Sequence, residues 1–158
     1  MSETELAGYI ELYRPTVFRV ALNYLKNYED AEDISQDAFV KLYTCETQFS
    51  SSENVKAWLI RVTINLCKNQ LRSMWHRSKC ELPQDIPAPG EEYSELADCI
   101  NKLRPEYASV IYLFYYEGYQ VKEIATLCGM TSTAVRTRLS RGRRILKEML
   151  PEGGPHNG

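Results

Sequence analysis

Apolar residues recur along this chain at the interval of α-helices and not at that of strands. Ala31, Ile34, Ala38 and Leu42 fall three or four positions apart, the spacing that gathers side chains on one side of a helix, and Ile124 and Ala125 lie three or four positions from both Val121 and Cys128. Such stripes predict helices over residues 3–13, 15–25, 28–43 and 55–75, then over 91–103, 105–117, 121–128 and 132–150. No segment alternates with a period of two for long enough to make a strand. The pattern breaks at Leu82-Pro83-Gln84-Asp85-Ile86-Pro87-Ala88-Pro89-Gly90, where prolines remove backbone donors and the glycine ends regular structure. The expected fold is therefore all-α: two small helical domains, 1–80 and 91–150, joined by a flexible linker at 81–90. A Gly- and Pro-rich tail at 151–158 is expected to be disordered.

Composition adds few constraints. With 158 residues, 44% hydrophobic and 25% charged, the chain has apolar material for one moderate core or two small ones. The start, Met1-Ser2-Glu3-Thr4-Glu5, is acidic and no apolar run approaches a membrane span, so a cytoplasmic protein without membrane insertion is expected. Cys45, Cys67, Cys80, Cys99 and Cys128 form no CxxC pair, and only His76 and His156 are available beside them, which argues against a metal site. Cys67 and Cys128 fall on apolar helix faces and read as small buried hydrophobes. No cofactor is expected, and no nucleophile, base and acid set or phosphate loop is visible, so the chain does not read as an enzyme.

Charge changes the picture through its distribution. The net charge is only −2, yet the region 29–37 holds Glu29, Asp30, Glu32, Asp33 and Asp37 with no base, and the region 54–80 holds Lys56, Arg61, Lys68, Arg72, Arg77 and Lys79 with no acid. Acid returns from Glu81 to Asp98, and the last predicted helix carries Arg136, Arg138, Arg141, Arg143, Arg144 and Lys147 against Glu148 alone. Two basic blocks on an acidic chain point to two polyanion contacts.

The second basic block belongs to a helix-turn-helix. Gly129 suits the left-handed end of the helix over 121–128, and Thr131 or Ser132 caps the next one. In that helix Val135, Leu139, Leu146 and Met149 share one side, while Thr133, Arg136, Thr137, Ser140, Arg141 and Arg144 cluster opposite. Guanidinium and short hydroxyl groups read base edges and hold phosphates in the major groove. Gly142, mid-helix, implies close packing or a slight bend, at a cost of about 1 kcal/mol relative to alanine.

In the first half, the helix over 55–75 offers Trp58, Leu59, Val62 and Leu66 for packing and gathers Arg61, Asn65, Lys68, Asn69 and Arg72 elsewhere. Cations for phosphates and amides for bases suit a single strand, with Phe49 in the preceding loop either an exposed stacking surface or a plug into the core. The helix over 28–43 turns Asp30, Asp33, Gln36 and Asp37 away from its buried stripe. That face is either merely solvated, its acids favoured by the helix dipole, or a contact surface.

Asp30-Ala31-Glu32-Asp33-Ile34-Ser35-Gln36-Asp37-Ala38-Phe39, then Ala57-Trp58-Leu59-Ile60-Arg61 with Asn65, resembles the N-terminal domain of extracytoplasmic-function sigma factors. Leu103-Arg104-Pro105-Glu106-Tyr107, Tyr116-Glu117-Gly118-Tyr119, Glu123-Ile124-Ala125 and the run from Thr133 to Arg141 are similar to that family's C-terminal promoter-binding domain. The resemblance implies that Asp30, Asp33, Gln36 and Asp37 meet the β′ clamp helices of core RNA polymerase. It implies that Phe49 and Asn65 capture a flipped base of the minus-10 element, with Arg61 and Lys68 near the backbone; Arg72, on the same basic face, is expected to contact DNA as well. It places Arg136, Thr137, Ser140 and Arg141 on the minus-35 element and implies an anti-sigma partner; Arg143 and Arg144, further along the helix from its groove-entering end, are expected to hold DNA phosphates. The rival reading, a stand-alone helix-turn-helix regulator, shares the C-terminal half but not the acidic helix or the segment from Trp58 to Arg72.

Overall fold

The computed structural model describes residues 1–78 and 95–150. The expected linker, the start of the helix predicted from residue 91 and the tail lie outside the described residues. The chain divides into two compact units, Met1–Ile86 and Pro87–Gly158. The described residues are helical wherever they are regular, in agreement with the all-α reading.

The first unit holds α1 (Glu3–Leu25), α2 (Tyr28–Thr44) and α3 (Ser52–Ser78). A capping box opens α1: Ser2 Oγ accepts from the Glu5 N–H at 3.1 Å, and Glu5 Oε1 accepts from the Ser2 N–H at 3.0 Å. The Ser2 N–H also holds the Glu5 carboxyl below its ordinary range. The sequence pattern divides this segment before Pro15, but the helix is continuous through it. Pro15 and Glu11, one turn before it, both lie exposed, so the ring sits on the solvent side of the helix. Tyr13, Val17, Val20 and Ala21 are buried on the opposite side, which keeps both halves packed on one core. Burial of Val17 and Val20 contributes about 1.5–3 kcal/mol each, enough together to offset one proline.

Lys26, in the left-handed conformation at φ 57°, ends α1, and the Asn27 side chain caps α2 by accepting from the Asp30 N–H at 2.9 Å. The core joins all three helices through Tyr13, Val17, Ala38, Phe39, Leu42, Val55 and Leu59. The Tyr13 hydroxyl donates to the Ser52 carbonyl at 2.9 Å and also meets the Ser52 hydroxyl, tying α1 to the start of α3. Buried Thr63 donates to the Leu59 carbonyl at 2.7 Å.

The second unit holds α4 (Glu95–Lys102), α5 (Pro105–Tyr115), α6 (Val121–Cys128) and α7 (Ser132–Met149). Pro105 starts α5, where a missing N–H costs nothing. α5 stops at Tyr115, two residues short of the predicted end. Gly118 at φ 75° turns the chain, and the N–H groups of Glu117 and Tyr119 donate to the carbonyls of Tyr112 (3.3 Å) and Leu113 (3.0 Å), satisfying the end of the helix. α5 is the central element, with Ala108, Val110, Ile111 and Leu113 buried. Gly142 is buried against it: a Cβ there would lie 3.1 Å from Ile111 Cγ1 and 3.3 Å from Tyr107 Cβ. Close packing is therefore the reason for this glycine. Among the described residues no helix is long and apolar enough to cross a membrane.

Candidate nucleic-acid interface

The turn between α6 and α7 is built as the residue pattern requires. Gly129, at φ 67°, closes α6; the Met130 N–H donates to the Ala125 carbonyl at 3.0 Å; Thr131 Oγ1 accepts from the Ala134 N–H at 3.1 Å and caps α7. On α6, Ile124, Ala125 and Cys128 are buried as expected, Val121 is half-buried, and Leu127 joins them in the core.

α7 is split lengthwise. Val135, Leu139, Gly142 and Leu146 are buried, and Thr133, Arg136, Thr137, Ser140, Arg141 and Arg144 are all exposed on the other side. Met149, expected in the buried stripe, is 37% exposed. Gly142, seven positions beyond Val135, lies in the buried stripe instead, whereas Met149 falls in the last turn of α7, where Lys147 and Glu148 are exposed as well. Arg143 is exposed but engaged: its Nη1 donates to the Tyr115 hydroxyl of α5 at 3.1 Å.

On α3, Arg61, Asn65, Asn69 and Arg72 are exposed and Lys68 is half-buried. Arg72 Nη1 donates weakly to Asn69 Oδ1 at 3.4 Å, which preorders two of these groups. The buried stripe of α3 is Val55, Leu59, Ile60, Thr63, Ile64 and Cys67, while Trp58, Val62 and Leu66 only partly pack against the core. Phe49 is not an exposed platform: it is half-buried against that core, edge-on to Trp58 with ring centroids 5.8 Å apart. A phenyl ring three residues before α3 finds apolar cover there, so the plug describes its resting position.

On α2, Asp33, Gln36 and Asp37 are exposed, while Asp30 is half-buried in the first turn. Val40, 60% exposed, extends the same stripe one turn on, and Tyr43 is exposed nearby. The sequence reading missed both. Their signal was present, since an apolar residue at the spacing of Asp33, Gln36 and Asp37 breaks an otherwise polar face. Away from these faces, burial pushes the Cys67 thiol up to about 12, which makes it an inert packing group.

Residues 9–77 match the family model for sigma-70 region 2, and residues 93–146 that for sigma-70 region 4. The chain is 26% identical over 164 residues to the ECF RNA polymerase sigma factor SigW of Bacillus subtilis, covering 91% of this chain and 88% of that one. It is 25% identical to RNA polymerase sigma factor SigV of the same organism, covering 87% of this chain and 86% of that one. Its fold is similar to that of the sigma factor RpoE from Bartonella quintana, solved in complex with the anti-sigma factor NepR, with a TM-score of 0.77, 22% identity, and 91% and 95% of the two chains covered. The region 2 match over the first unit disfavours the stand-alone regulator. The two regions, in order on one chain, establish that it belongs to the sigma-70 family as a sigma factor of the extracytoplasmic-function type.

Proposed function

We propose that this sigma factor divides its work among three faces: α2 for polymerase, α3 for the opened minus-10 strand and α7 for the minus-35 duplex. As a sigma factor it binds core RNA polymerase and promoter DNA and catalyses no reaction itself. The observation that carries the division is the agreement between chemistry and exposure. Each face is solvent-exposed, each backs onto a buried stripe, and the acidic and basic groups lie on different helices.

On α2, Asp33, Gln36 and Asp37, flanked by Asp30, suit a basic partner and are assigned to the β′ clamp helices. On α3, Arg61, Lys68 and Arg72 hold phosphates while Asn65 offers an amide to a base. Flipping that base costs a few kcal/mol, so a receiving pocket is required. Phe49 would form its wall after leaving, or while keeping, its edge-on contact with Trp58. On α7, Arg136, Thr137, Ser140 and Arg141 read bases from the groove-entering half, and Arg143 and Arg144 hold the backbone. An anti-sigma protein that covers these faces would hold the factor inactive, and the cytoplasm is where such a factor meets polymerase.

The test is transcription from genomic DNA by core polymerase with and without the full chain, with the transcripts sequenced. New starts sharing two spaced elements are expected. Sequence-specific binding by the chain alone, with no polymerase-dependent start, would overturn the reading.

A further inference from the structure

We infer that Tyr115 is a positioning residue for promoter binding, holding the Arg143 guanidinium at the α5-facing edge of α7 so that it meets a DNA phosphate. The inference rests on the proposed minus-35 reading by α7 and adds to it a residue outside the helix-turn-helix.

Arg136, Ser140, Arg143 and Lys147 are spaced four, three and four apart, so they form one line along α7, and all four are exposed. No acid stands on that line. It borders α5, because Gly142, next to Arg143, packs on Ile111 and Tyr107 of that helix. From the end of α5 the Tyr115 hydroxyl accepts from Arg143 Nη1 at 3.1 Å, although the residues are 28 apart in sequence. Tyr115 is itself 45% exposed, and its ring is braced edge-on by Phe114 at 4.9 Å between centroids.

The nature of the acceptor matters. A carboxylate at this place would cancel the guanidinium charge and compete with a phosphate. A neutral phenol fixes the side chain's direction, leaves its full positive charge, and uses one of five N–H donors. The acid nearest in sequence, Glu117, accepts from the Tyr112 hydroxyl at 2.5 Å. An arginine held in place loses less side-chain entropy on binding than a free one, so the arrangement preorganises a phosphate contact.

Holoenzyme assembled from core polymerase and the full chain is challenged on promoter DNA with rising potassium chloride, for wild type, Y115F, R143A and the double variant. R143A should lower the slope of log affinity against log salt by about 0.9. Y115F should weaken binding severalfold with unchanged thermal midpoint and unchanged base preference, and it should add nothing in the R143A background. Wild-type binding by Y115F, a loss that adds in full to that of R143A, or a fall in midpoint that accounts for the loss would each overturn the inference. R136A and R141A in the same assay separate the two levels. If they relax minus-35 preference while Y115F is neutral, only the role of Tyr115 fails; if they too change nothing, the reading of α7 fails.

Discussion

Two residues carry their physical chemistry in plain view, and neither touches a proposed partner. Burial at the end of α1 pushes the Lys26 ammonium from an ordinary value near 10.5 down to about 7. Between those values the unfolded chain binds more protons than the folded one, so stability from this group rises with pH from about 7 to about 10, and its penalty is fully present below 7. The slope is bounded at about 1.4 kcal/mol per pH unit. Lys26→Met should therefore raise stability most at pH 6 and least at pH 10; urea unfolding at the two values checks it, and parallel curves would show that Lys26 is not the source. Gly142 makes the opposite argument. Alanine gains about 1 kcal/mol of helix propensity, yet its Cβ would press on fully buried Ile111 and on the backbone-anchored Cβ of Tyr107. Overpacking of this kind costs about 1–3 kcal/mol. Gly142→Ala should lower the thermal midpoint, and an increase would mean that α5 and α7 separate more easily than their packing implies.

At the scale of elements, α2 and α7 share one design, a buried stripe behind a charged exposed face, and each face can be changed without disturbing the stripe. Reversing Asp33 and Asp37 to lysine should leave helical content by circular dichroism unchanged and weaken competition for core polymerase; equal competition would return that face to plain solvation. Along α7, Arg136→Ala or Arg141→Ala should cost about 1–3 kcal/mol and relax one base step if either arginine is bidentate to guanine. Arg144→Ala should weaken all promoters alike and lower the salt slope. Transcription from a library randomised at the minus-35 element distinguishes the two behaviours. These elements were legible through their periods and, for α7, through the end signals before it: Gly129 and Thr131 stand where local chemistry demands them. What was not legible depended on tertiary cover. A proline reads as a break, but Pro15 lies on the side of α1 that needs no partner. Phe49 reads from the sequence as either an outward platform or a plug, and Met149 as part of the buried stripe; cover by neighbours, which no periodicity records, decides both. The tie from Arg143 to Tyr115 joins residues 28 apart, beyond the reach of any local pattern.

For the whole molecule, a net charge of −2 hides a separation of acidic from basic faces. Exposed charges interact across roughly 10 Å at 0.1 M salt, so a basic face works locally even on an acidic chain, whereas long-range attraction of DNA to the whole molecule is weak. Promoter affinity should then depend on polymerase holding the faces in place, and the three faces should act at successive stages that variants can isolate. The lysine reversal at Asp33 and Asp37 should fail at polymerase binding, and Arg136→Ala at promoter choice. Asn65 is exposed on α3 among Arg61, Asn69 and Arg72, so Asn65→Ala should fold, bind polymerase and reach the promoter, yet open it poorly. Phe49→Ala should show the same defect together with a loss of stability, since its ring also covers Trp58. Permanganate modification of unpaired thymines in the minus-10 region reads the opening directly, beside a filter-binding measurement of promoter occupancy. Normal occupancy with weak modification in the Asn65 variant supports base capture by α3. Full modification there would remove Asn65 from the melting step and leave α3 a basic face that only follows the backbone.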